Sequence, residues 1–108
     1  MLPYANPTQF LSLSYRNGIY QGYFNRYNQE RDGYGLLYTT DNNMLMGSTW
    51  KKNSCNAATF IFYNHAHYLY GFWEESIPHG FNVVRIGLVV IYAWYDMGAV
   101  QGRILILY

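Results

Sequence analysis

The feature that most constrains this 108-residue sequence is a punctuation that recurs at a nearly fixed interval. Gly22, Gly47 and Gly71 lie 25 and 24 residues apart, and Tyr92 takes the next position 21 residues on. Gly33, Ala57, Gly80 and Gly102 follow one another at 24, 23 and 22 residues. A third series, Asn17-Gly18, Asn42-Asn43, Asn64-His65 and Gly87, carries turn chemistry. Three series in step mark an internal repeat of one supersecondary unit. A unit this short cannot bury a core alone, so the chain must fold as an array in which neighbours complete one another.

Strand-forming runs of ordinary length lie between the punctuation points. One half of each unit reads as a strand over 19–25, 44–51, 67–74 and 88–95. The other half reads as a strand over 34–40, 58–63, 81–86 and 103–108, with 10–15 as the second half of a truncated first unit. Asn-Gly and Asn-Asn favour the tight turns of hairpins, which makes successive strands antiparallel neighbours. No window shows the 3.6-residue period of a helix. The expected fold is all-β: consecutive antiparallel hairpins forming one extended, twisted sheet in a single domain, with residues 1–18 leading into repeats at 19–43, 44–66, 67–87 and 88–108.

Side chains alternate along a strand, so Tyr20, Gly22 and Phe24 share one face, as do Leu69, Gly71 and Trp73. A missing side chain between two large ones leaves a slot, and a glycine inside a strand often marks such a close approach. The ring of a neighbouring hairpin is expected to fill it. With an aromatic share of 20%, rings are plentiful, and packing within and between repeats is expected to occupy most of them.

These residues resemble the MORN (membrane occupation and recognition nexus) repeat, whose unit looks like Tyr-x-Gly-x-Trp followed by Gly-x-Gly and a second strand. Tyr20-x-Gly22-x-Phe24 with Gly33-Tyr34-Gly35 fits that pattern, and Leu69-x-Gly71-x-Trp73 with Gly80 fits nearly as well. In the unit around Gly47, Trp50 stands one place late. The last unit keeps Trp94 and Gly102 but has Tyr92 where the strand glycine belongs. The resemblance implies an all-β repeat array serving as a scaffold or protein-interaction platform, and it brings no catalytic residues or cofactor with it.

Candidate chemistry is sparse. Cys55 is the single cysteine, which leaves no intrachain disulfide and no Cys-rich zinc site, and it reads as a small, partly buried residue. Glu74-Glu75 are strand neighbours that point to opposite faces, so they cannot work as acid and base across one substrate. His65-Ala66-His67 has a spacing metals accept, and His79 lies half a repeat away, but the pattern reads as a turn histidine and a strand histidine. There is no Gly-x-Ser-x-Gly elbow and no phosphate loop before a helix. The reading is a non-enzymatic chain without metal, cofactor or small-molecule substrate.

Net charge is +1 and the basic residues form no run, which argues against nucleic acid as a partner. Charged residues make up only 12% of the chain, well below the usual quarter or so, as suits a surface covered by other proteins. The run Arg103, Ile104, Leu105, Ile106, Leu107, Tyr108 has no polar alternation and reads as an apolar strand ending the array without a cap. Such an edge invites pairing with a protein partner or a second copy. The alternative is a peripheral membrane module that meets anionic lipid through Lys51-Lys52. Two lysines contribute only about 1 kcal/mol each there. Residues 1–7 lack a basic segment leading into an apolar one, and the longest apolar run, 86–95, is about half a membrane span. An intracellular chain within a cytoplasmic, cytoskeletal or organellar complex is therefore expected.

Overall fold

The computed structural model describes residues 7–107. Nine strands follow one another: β1 (Thr8–Tyr15), β2 (Gly18–Asn25), β3 (Glu30–Thr39), β4 (Met44–Lys51), β5 (Ser54–Asn64), β6 (His67–Glu74), β7 (Ile77–Ile86), β8 (Val89–Asp96) and β9 (Ala99–Leu107). Each is antiparallel to the next, and they form one sheet in sequence order, open at β1 and β9. No helix occurs among the described residues. The molecule measures 59 × 28 × 16 Å along its principal axes, so the sheet is a single layer.

The first strand of each hairpin lies within a residue of the expected bounds, and β4 and β6 coincide with them. The second strands β3, β5, β7 and β9 each begin four residues earlier than expected. Gly33, Ala57 and Gly80 do not lie in turns: they are bulged residues within strands, with φ of 119°, 54° and 110°. Gly22 pairs with Gly35 but Phe24 pairs with Arg31, so Asp32, Gly33 and Tyr34 are set against Tyr23 alone. The same shift lies between Ser48 and Thr49 in β4 and between Gly71 and Trp73 in β6. In β9 the bulge is reduced to one extra residue, Gln101, beside Gly102.

Each bulge glycine lets a ring of the preceding strand lie on the backbone. A Cβ on Gly33 would come 2.8 Å from the Cβ of Tyr23, and one on Gly80 would come 3.2 Å from that of Phe72. Ala57 has the smaller Thr49, not a ring, at the corresponding place in the preceding strand. Its left-handed backbone is still costly. Gly33→Ala should therefore destabilise the fold by about 2–3 kcal/mol, whereas Ala57→Gly should be neutral or stabilise it by about 0.5 kcal/mol. Urea denaturation of the two variants checks both signs.

Three of the turns at this end, Lys52-Asn53, Glu75-Ser76 and Met97-Gly98, have positive φ at both residues, the primed geometry that suits sheet twist. Each turn is tied to the strand of the preceding hairpin. The amides of Asn53, Ser76 and Gly98 donate to the carbonyls of Arg31, Cys55 and Pro78 at 3.3, 2.9 and 2.8 Å. In return Asn53 Oδ1 accepts the Arg31 amide at 2.8 Å and Ser76 Oγ accepts the Cys55 amide at 2.9 Å. In the third copy the donor position is Pro78, which has no amide hydrogen, and the partner residue is Gly98, which has no side-chain acceptor. Ser76→Ala should cost about 1–3 kcal/mol by stranding the amide of the buried Cys55. The loss should appear in the denaturation midpoint with an unchanged slope.

Candidate functional site

The register divides the side chains between two faces. On the packed face, a row of mostly small residues crosses the whole sheet: Leu11, Gly22, Gly35, Ser48, Thr59, Gly71, Asn82, Ala93 and Arg103. This row corrects the phase of the repeat. Gly47 and Tyr92 are one residue out of step, and Ser48 and Ala93 occupy the place of the strand glycine. Trp50 is therefore in phase with Phe24 and Trp73. Trp94 is not, and Tyr95 takes the packed-face position in β8.

Tyr20, Phe24, Trp50 and Cys55 form the buried cluster of this face, with Leu11, Leu13, Leu37, Met46 and Trp73 packed against it. The slots above the glycines are filled from within the same hairpin, not by a neighbouring one. The ring of Tyr20 lies over Gly22 and Gly35, the side chain of Asn82 fills the space at Gly71, and Phe60 fills that at Gly47. In a one-layer sheet no hairpin sits above another, so only neighbours in the same plane can reach these spaces.

Contact between repeats runs along the layer. Trp50 meets Tyr20 edge-on, with centroids 6.0 Å apart at 86°, and its Nε1 donates to Gly35 O at 3.0 Å. The guanidinium of Arg31 lies 4.6 Å from the centroid of Trp50 and 5.8 Å from that of Tyr20. The Tyr20 hydroxyl donates to Tyr23 O at 2.7 Å. Burial pushes its phenol up to about 12, with Arg31 pulling weakly the other way. Asn82 is also buried, accepting from Trp73 Nε1 at 3.1 Å and donating to Phe72 O at 3.0 Å. Cys55 is fully buried, not partly buried as its sequence context suggests, and burial pushes its thiol up.

The opposite, open face is built differently. Its central row is Ser12, Gln21, Leu36, Gly47, Phe60, Tyr70, Val83, Tyr92 and Ile104. Beside it stand Phe10, Tyr23, Tyr34, Phe72 and Trp94. Many rings are not consumed by packing: Tyr34 is 72% exposed, Phe10 65%, Phe72 54% and Trp94 43%. Trp94 lies against the bulge at Gly102, as Phe72 lies on Gly80. Besides Gly47, the residues this face buries lie in β7 and β8, at Val83 and Val90, where Phe81 stacks on Tyr92 at 6.1 Å. Over β1 to β6 the rings border a groove of about 540 Å³, walled by Phe10, Tyr34, Phe60, Tyr70 and Phe72, with the Phe60 ring lying over Gly47. Between the turns and bulges at its two ends, the open face carries one charged side chain among the described residues, Arg85, whose Nε donates to Gly87 O at 3.1 Å.

The histidines do not converge. His65 is in the β5–β6 turn against Phe62, and His67 opens β6 with its Nδ1 3.0 Å from Asn64 Oδ1. His79 is on β7 beside the far end of β6, where its Nδ1 accepts the Met97 amide at 3.0 Å. Glu74 and Asp96 approach it to 3.8 and 3.7 Å. No group of three metal-ligating side chains occurs among the described residues.

Of the predicted edge residues, Ile104, Leu105 and Ile106 are exposed on β9 at 55%, 58% and 38%, and Arg103 is exposed beside them. Leu107 pairs through its backbone with Val89. Tyr108 lies outside the described residues. Lys51 and Lys52 are exposed at the β4–β5 turn. Among the described residues, no helix is long and apolar enough to cross a membrane.

No protein-family model matches this chain, and no curated protein matches it either.

Proposed function

We propose that this chain is a non-enzymatic structural or docking module with a MORN-like repeat architecture. It binds other proteins within a larger assembly through its open face and the outer edge of β9. The observation that carries this reading is the open face itself. It is a contiguous aromatic surface on which Arg85 is the one charged side chain between the rims among the described residues, a composition like that of the centre of a protein interface. Tyrosine suits such a surface, because it offers a large rigid apolar area and keeps a hydroxyl for water or a partner. β9 adds a backbone edge with apolar side chains on both faces, suited to strand addition.

The reading is tested by isolating the protein from its natural source under mild conditions, with a photoreactive residue placed at position 34 or 104. Crosslinks from these positions to specific, stoichiometric protein partners are expected. A monodisperse monomer with no crosslinked protein would contradict it.

A further inference from the structure

We infer that the partner of the open face is a second copy of this chain, the two sheets packing face to face about a two-fold axis. This inference rests on the docking reading above and specifies its occupant. A sheet with one uncovered apolar face lacks the second layer around which domains ordinarily build a core. The accessible surface is 7251 Å² for a chain of 12.7 kDa, where a compact monomer of that mass exposes roughly 6,200 Å². The excess of about 1,000 Å² is close to the roughly 800 Å² that each partner buries in a standard interface. The sheet's 59 × 28 Å outline leaves ample room for such a footprint.

Charge and shape favour a copy over an unlike partner. Two like molecules normally repel through whatever charge they share, and like charges brought together across an interface are costly. Here the central face presents only Arg85, already engaged with Gly87 O, so two copies meet without that penalty. An isologous pair also needs a surface that complements itself. The groove of about 540 Å³ is bordered by protruding rings at Phe10, Tyr34 and Phe72, so each copy supplies both a recess and the rings to occupy one. Sheets packed this way lie about 10 Å apart with interdigitated side chains.

Sedimentation equilibrium of the full chain across micromolar concentrations tests the proposal. The wild type should reach twice the chain mass. Tyr34→Arg should weaken association at least ten-fold, because the two-fold axis brings both new charges into one apolar interface. Tyr34 is 72% exposed, so the substitution disturbs little of the monomer's own packing, and circular dichroism verifies its fold. Phe10→Ser is the second variant should Tyr34→Arg fail to fold, and it carries the same expectation. Tyr27→Ser, at a 77% exposed position in the β2–β3 turn, should leave the mass unchanged. A wild type that stays monomeric overturns the proposal, and the docking reading then rests on crosslinking from the natural source alone. A dimer unmoved by the open-face variants also overturns it in favour of pairing at an edge strand, with the docking reading intact.

Discussion

Trp50→Ala should lower the unfolding free energy by about 3–5 kcal/mol, a large part of what a domain of this size has. Trp50 is 3% exposed and touches both of its neighbouring units. It meets Tyr20 of the preceding hairpin edge-on, holds the guanidinium of Arg31 over its ring, donates to Gly35 O and belongs to the buried cluster against which Trp73 of the next hairpin packs. Truncation removes the ring, leaves a cavity in a layer with no second sheet to collapse onto it, and strands the Gly35 carbonyl. Trp94→Ala is the matched comparison. Its ring is 43% exposed on the open face and meets the half-buried Phe81 with centroids 5.1 Å apart, so the loss should stay at about 1 kcal/mol. Guanidinium denaturation followed by circular dichroism reads both. Equal losses would show that the face assignment of one of the two tryptophans is wrong.

The second large effect concerns the slot above Gly35. Gly35→Ala should cost about 3 kcal/mol, because its Cβ would fall within the ring of Tyr20, which cannot retreat. Tyr20 is fully buried between its own strand and Trp50, and its hydroxyl is anchored on Tyr23 O. Tyr20→Ala alone should cost about 3–5 kcal/mol for the lost ring. Together the two should cost less than their sum by about 1–3 kcal/mol, since without the ring the new methyl has room. Strict additivity would mean that the glycine is required by its backbone and not by the ring above it.

The architecture was legible from the sequence because turn residues and strand alternation speak locally. Asn42-Asn43, Gly87 and the runs 44–51 and 67–74 need no tertiary information. Phase across strands was harder, because small residues are interchangeable where a row only requires little volume. Ser48 and Ala93 serve as well as glycine, and the neighbouring Gly47 and Trp94 misled by their identity. The bulges are hidden in the sequence for a related reason. Gly33 and Gly80 have the backbone freedom of turn residues, but spend it inside strands to seat Tyr23 and Phe72. The primed turn at Glu75-Ser76 carries no composition signal at all. It is held by the exchange of hydrogen bonds with Cys55, a partner 21 residues away.

The candidate site was legible only in outline. The edge run from Arg103 stood out because it lacks polar alternation. The open face did not stand out, since Tyr34-x-Leu36-x-Tyr38 and Tyr68-x-Tyr70-x-Phe72 look like ordinary core-facing strands. Only the absence of a second layer shows that no other described residues cover their rings.

The claim at the centre of this account is that those rings are covered in the assembled protein. Hydroxyl-radical footprinting, read by mass spectrometry at low and high protein concentration, tests it directly. Oxidation at Phe10, Tyr34 and Phe72 should fall several-fold as concentration rises, while Tyr27 in the β2–β3 turn reacts equally throughout. Unchanged oxidation at all four positions, or equal protection of Tyr27, would contradict it.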